Sequence, residues 1–468
     1  MLGLFFPTSS TQAAVGAIFY VDNTRACDDY GPGTIALPFC TINWGASVAM
    51  PGTTVRVLAG TYLEKVKPVN NGTAGNPITF SAAPGVTVKG DGSLSGSAFR
   101  LTGWSYITIE GFNVTDTSQE GIYVSGSDHI TISNNHVSSA GSPSSGNERC
   151  GIYISGTTNS TITGNIADHN SLDGIRLVSG SMNNTVSNNI SFANSSEYSR
   201  SAEGIDVENN STDNTIIHNI VYANEDSGLN FYNGSGSNLI IGNVSYGNSD
   251  HGIDINGSPN NKIIGNTVQG NVTSGINLEA DQSIPPISSG GATVINNIMA
   301  DNGYLRLVGG GTIPGGKTGN ISVDPLSTIG TTLDYNLYYL FSAGTQVAWN
   351  GNTYGSLYAF ISAGTGQEIN GLQDNPLFTA PAPIAMRPTG APFNIDVNVG
   401  NYHIKAGSPA IDSANSNAPG EPAIDIDHHP RVNDTSVVDS GYGVRTFDDR
   451  GAYEFWVGYT VMLPLIMH

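Results

Sequence analysis

Positive charge is what this sequence has least of: 17 Lys and Arg stand against 38 Asp and Glu, for a formal net charge of −21 over 468 residues. Such a surface repels nucleic acid and anionic membranes, so nucleic-acid binding is not expected. Charged residues of both signs make up only 12%, and no stretch carries the apolar period of a long helix. Nor is there a long apolar run, since the terminal "YTVMLPLIMH" is too short to span a bilayer. Cysteine is nearly absent. Cys27 and Cys40 flank "DDYGPGTIALPF", a loop short enough to close with a disulfide in an oxidising compartment, although two free thiols fit it equally; Cys150 is left over as a buried thiol. Residues 1–17, "MLGLFFPTSSTQAAVGA", read as the tail of a secretory signal lacking its charged front. A secreted or cell-surface monomer is the expectation.

What is plentiful is glycine, at 59 residues, among many Asn and Ser, a composition that suits short strands and tight turns. A Gly-apolar-polar-apolar tetrad begins at Gly121, Gly151, Gly174, Gly204, Gly228, Gly252 and Gly275, in steps of 23, 24 or 30 residues. Between the tetrads, an Asn precedes an apolar residue at Asn135, Asn165, Asn189, Asn219, Asn243, Asn266 and Asn297. Periods of this size mean a solenoid. Within a tetrad the second and fourth residues face one interior and the third faces out. No Leu-rich consensus with a helical half is present. The expected fold is all-β: a single-stranded right-handed parallel β-helix, with the Asn landmarks forming an internal amide ladder at one turn. It spans residues 18–330 and is capped by a short helix at "TINWGASVAMPG". An irregular β extension over 331–369 and a C-terminal module over 370–468 follow.

The count from Asn to the next Gly is nine in four coils, but 16 before Gly151 and 15 before Gly204. Both insertions leave the same turn and should rise as walls beside the outward face of the tetrad strand. Down that face run Tyr123, Tyr153, Arg176, Asp206, Asn230, Asp254 and Asn277, with Glu208, Tyr232 and Glu279 in the next outward column. Turn chemistry and solubility alone can explain any single one of these polar residues. Carboxylates stacked about 4.8 Å apart are another matter, because they repel unless protonated, hydrogen-bonded or bridged by a cation. Glu203, Asp206, Glu208, Asp226, Asn230 and Asp254 are therefore candidate oxygen ligands for Ca²⁺.

Two stretches carry a family resemblance. "FYVDN" with "GTIALPFCTINWGASVAMPGTTVRVLAGTYLEKV" resembles the N-terminal segment of secreted β-helix proteins such as pectate lyases, alginate lyases and mannuronan epimerases. "YHIKAGSPAIDSA" and "DIDHHPRV" through "DDRGAYEF" resemble the terminal segment of bacterial surface β-helix proteins called choice-of-anchor Q. The resemblance implies export and a polysaccharide partner, uronate-containing for the lyases. "EGIDV", "NEDSGLN" and "DHGIDI" resemble the calcium-holding coils of ten-coil pectate lyases, which places Asp226 and Asn230 at ligand positions; Ser227 replaces one expected Asp, and the catalytic Lys on a later coil is missing.

Three functions follow. In a Ca²⁺-dependent lyase, put first, a base removes the C5 proton of a uronate; Arg176 is the candidate, unless it simply ion-pairs with Asp173 or Asp206, and Lys262 is poorer. In an inverting hydrolase, Glu203-Gly204, Glu225-Asp226 and His251-Gly252 resemble the order of polygalacturonases, without their later Arg-x-Lys. Asp206 and Asp254 would then stand roughly 9–10 Å apart. In either enzyme Arg176, Asp206, Asp226, His251 and Asp254 are the catalytic candidates, and Tyr123, Tyr153, Tyr232, Arg149 and Arg200 the substrate contacts. The third function is a surface glycan binder or adhesin with no catalysis.

Overall fold

The computed structural model describes residues 16–90, 96–142, 147–196, 201–306, 312–314, 319–384 and 397–456. Arg200 and most of the signal-like start lie outside them. Each coil supplies three short strands, because glycine and left-handed turn residues recur every few positions and apolar residues alternate between them. The strands stack into three parallel sheets in a solenoid of about ten turns. The first sheet runs from Ile18–Val21 to Thr332–Asp334, the second from Gly60–Leu63 to Leu372–Gln373, and the third from Phe99–Thr102 to Val347–Trp349, against which Asn352–Tyr354 pairs antiparallel. Alternate residues point inward and stack: Val207, Phe231, Ile255 and Leu278 follow one another in register and are wholly buried.

The Asn landmarks form the expected ladder. From Asn135 through Asn165, Asn189, Asn219, Asn243, Asn266 and Asn297 to Asn336, each Nδ2 donates to the next Oδ1 at 2.9–3.0 Å. The residue before each rung has positive φ, for example Asn188 at 56° and His218 at 55°, which bends the chain and turns the amide inward. Two further ladders were not foreseen. One runs from Asn170 to Asn320 at the turn entering the third sheet, and one joins Asn184, Asn214 and Asn238 at the turn leaving it. All three turns of the coil are thus held by buried amide bonds, which leaves the sheet faces free to vary.

The N-terminal end is closed by the helix Ile42–Val48, capped by Thr41 Oγ1, which accepts from Trp44 N. Glu64 accepts from the backbone amides of Ile42 and Asn43, and a Cys27–Cys40 disulfide ties the preceding loop. The coil continues past residue 330, since Thr332–Asp334, Leu337–Tyr339 and Leu372–Gln373 still extend the first two sheets. Residues 397–456 lie along the outer face of the second sheet. Phe192, Tyr222 and Tyr246 stack with centroids 4.9 and 4.8 Å apart, Tyr402 packs on Tyr246 at 4.7 Å with its ring tilted by 44°, and Tyr402 donates to Gln269 Oε1 at 2.7 Å. Arg450 donates to the Asn336 and Asn370 carbonyls at 3.0 Å. No helix among the described residues is long and apolar enough to cross a membrane.

Candidate functional site

The outward column of the third sheet is in register from Arg100 through Tyr123, Tyr153, Arg176, Asp206, Asn230, Asp254 and Asn277 to Ser322. Acids some fifty residues apart in the chain are thereby two coils apart in space. A groove of about 810 Å³ lies over them. Its floor is Arg176, Asp206, Asn230 and Asp254, with Glu203, Asp226 and His251 along the side where the strands begin and Glu208, Tyr232, Asn256 and Glu279 along the other. Glu148, in the first wall, and Asp250 also line it.

Arg176 is the centre of the charge network. Its Nη1 donates to Asp173 at 3.1 Å, its Nε lies 3.2 Å from Asp206 Oδ2, and its Nη2 pairs with Glu208. Burial alone would lower its pKa, but Asp173, Asp206 and Glu208 outweigh that and hold it well above the ordinary arginine value. A guanidinium so held cannot accept a proton; of the two roles expected for Arg176, the contacts are those of the ion pair.

The carboxyls differ from one another. Burial, then the charges of Asp173, Asp206 and Asp226, push Glu203 well above the usual range, while its backbone amide donates to Asp173 Oδ1 at 2.9 Å. Burial pushes Asp206 up against the pull of Arg176, and Asn230 Nδ2 donates to its Oδ1 at 2.9 Å. Asp254 is pushed by burial to about 6, with Asn277 Nδ2 donating to its Oδ1 at 2.8 Å. His251 is buried against the groove, with Nδ1 2.6 Å from Ser274 Oγ and Nε2 3.8 Å from Asp250.

The substrate contacts expected from sequence fare differently. Tyr232 is 40% exposed and lines the groove. Tyr123 and Tyr153 stack on each other at 5.5 Å beyond the groove, with Arg100 over Tyr123 at 3.9 Å. Arg149 turns from the groove to Gln119 Oε1 at 2.9 Å and the Glu148 carbonyl at 2.6 Å. Glu148 and Asp250 were missed by sequence reasoning, although each had a signal: an acid within a lengthened wall, and an acid immediately before His251.

Oxygens of Asp173, Glu203 and Asp206 lie within 4.8 Å of one another, close enough to surround a cation. Yet Arg176 already occupies Asp173, Asp206 and Glu208, and Ca²⁺ requires six to eight oxygens at contact distance. Of the expected calcium set, Asp206 and Glu208 are thus already paired with a guanidinium and Glu203 lies beside them, while Asp226, Asn230 and Asp254 line the groove.

Fold and site together define a right-handed parallel β-helix with an acidic surface groove. The chain belongs to the right handed beta helix family, whose model matches residues 69–245 and 191–324, more than half of it. A relative, the uncharacterized protein YwoF of Bacillus subtilis (strain 168), is 33% identical over 144 residues, which is 28% of this chain and 30% of that protein. The match thus spans under a third of that relative's length. Among solved structures, pectate lyase Pel9A is 16% identical with a TM-score of 0.50, covering 94% of this chain and 97% of that one. The GH136 lacto-N-biosidase from Eubacterium ramulus is 14% identical with a TM-score of 0.52, covering 71% and 65%. At these identities the likeness is one of fold.

Proposed function

We propose that this protein is a polysaccharide-cleaving enzyme that hydrolyses glycosidic bonds by acid–base catalysis. One observation carries the reading: a single groove holds a carboxyl biased toward its protonated form, Glu203, and a second, Asp254, that ionises near pH 6 two coils away. Unequal carboxyls flanking a sugar are what acid–base hydrolysis requires. Glu203 donates its proton to the leaving glycosidic oxygen. Asp254, ionised above about pH 6, takes a proton from the water that attacks the anomeric carbon. Two coils of stacking, roughly 10 Å, leave room for that water and favour inversion. Arg176 fixes Asp206 and Glu208, and exposed Tyr232 offers a face for sugar stacking.

His251 supports β-elimination as a second reading, since it lines the same groove as a base that needs no free arginine. Incubation with neutral and acidic glycans separates the two. New reducing ends without new ultraviolet absorbance are expected, with activity falling about 100-fold or more in Glu203→Gln and in Asp254→Asn. Absorbance from an unsaturated uronate would replace hydrolysis by elimination, and no product from any glycan would favour a non-catalytic binder. The disulfide supports an oxidising, extracytoplasmic location for the protein.

A further inference from the structure

We propose that the groove selects its glycan by charge: it takes polymers without carboxylates and prefers sugars bearing protonated amines, as in a deacetylated hexosamine chain. This rests on the hydrolase reading and names its substrate class. Eight Asp and Glu residues line the groove, against Arg176 as the one arginine lining it among the described residues. Arg176 is paired with Asp173, Asp206 and Glu208 together, so its single charge is already offset by the protein's own carboxylates. The surrounding protein adds to the same field, with a formal net charge of −21.

A uronate chain would bring one carboxylate per sugar into this field. In an acidic groove that is tolerable only if a divalent cation bridges sugar and protein, and at Asp173, Asp206 and Glu208 the partner is the Arg176 guanidinium instead. The guanidinium differs from a metal in one decisive respect. Its donors are turned to the protein's own carboxylates, whereas a bound metal keeps open positions for a substrate oxygen. A sugar ammonium reverses every sign: it meets Asp254 and Glu208 without a bridge, while Tyr232 packs on the apolar sugar face.

The test is equilibrium binding of three hexamers to the intact protein at pH 6 to 6.5, where both the sugar amines and the Asp254 carboxylate are substantially charged: glucosamine, N-acetylglucosamine and galacturonate. Each is measured with chelator and with added Ca²⁺. The expected order is glucosamine, then N-acetylglucosamine, then galacturonate. About tenfold or more should separate the first from the last, the gap should narrow in salt, and chelator should have no effect. In Glu208→Gln the glucosamine hexamer should lose affinity while the N-acetylated one does not. Galacturonate binding as tightly as glucosamine, galacturonate binding that appears only with calcium, or no binding of any hexamer would each overturn the proposal. Binding in the expected order with no cleavage would leave charge selection standing and remove only the hydrolase reading.

Discussion

Asn219 sits in the middle of the first ladder and is bonded in both directions. Its Oδ1 accepts from the Asn189 amide and side chain at 3.0 Å, and its Nδ2 donates to Asn243 Oδ1 at 3.0 Å and to the Val186 carbonyl at 2.9 Å. Removing it takes the acceptor from the Asn189 amide and a donor from the Val186 carbonyl in a dry interior, while Asn243 Oδ1 keeps only the Asn219 backbone amide. Asn219→Ala should therefore cost about 2–4 kcal/mol, read as a lower denaturation midpoint at unchanged slope. Asp254 acts through pH instead. Its folded pKa is raised from 3.8 to about 6, so between those values the folded protein holds a proton that the unfolded chain has released. Stability from this group is then greatest at low pH and falls as pH rises through 6. Asp254→Asn, which cannot ionise, should match the wild type near pH 4 and exceed it by roughly 1–3 kcal/mol at pH 7.5. Equal pH dependence of the two proteins would show that Asp254 does not carry the burial cost described.

The strands of the coil were legible because each is specified locally. A tetrad such as "GIDV" states its glycine turn, its two inward residues and its outward one within four positions, and the ladder Asn marks the next bend. Once the tetrads are aligned, register follows, which is why Arg176, Asp206, Asn230 and Asp254 were assigned correctly to one column. Direction of side chains within the column was not legible. The Arg176 pairing with Asp173 or Asp206 was among the readings, but nothing in "GIRL" says that it also reaches Glu208, or that Arg149, three residues before "IYI", faces Gln119 and not the groove. Those outcomes depend on which charged partners the neighbouring coils bring within reach. The second and third Asn ladders were in the sequence too, at Asn170, Asn194 and Asn224 and at Asn184, Asn214 and Asn238, but a single repeating landmark was enough to set the phase and they were not needed for it.

For the molecule as a whole, the outward face of the second sheet is the part that strand patterning could not complete. "NISF", "NIVY" and "NVSY" place Phe192, Tyr222 and Tyr246 in one outward column, where three stacked aromatics in water would be a liability. Their cover comes from Tyr402, Ile404, Ile411 and Tyr453, more than 150 residues later than Tyr246 in the case of Tyr402, so no local signal could announce it. The segment expected as a C-terminal module thus shares its apolar cluster with the solenoid. In a quasi-one-dimensional array each coil is stabilised mainly by its neighbours, so loss of that cover should release the segment without melting the coils beneath. Tyr402→Ala removes a fully buried ring that packs against Tyr246 and bonds Gln269, a loss of about 3–5 kcal/mol at that interface. Limited proteolysis should then cut within residues 397–456 at protease levels that leave the wild type intact, while a resistant fragment containing the central coils persists and binds hydrophobic dye. Protection unchanged from the wild type would mean that the segment is held by Arg450 and its backbone acceptors, not by the aromatic column.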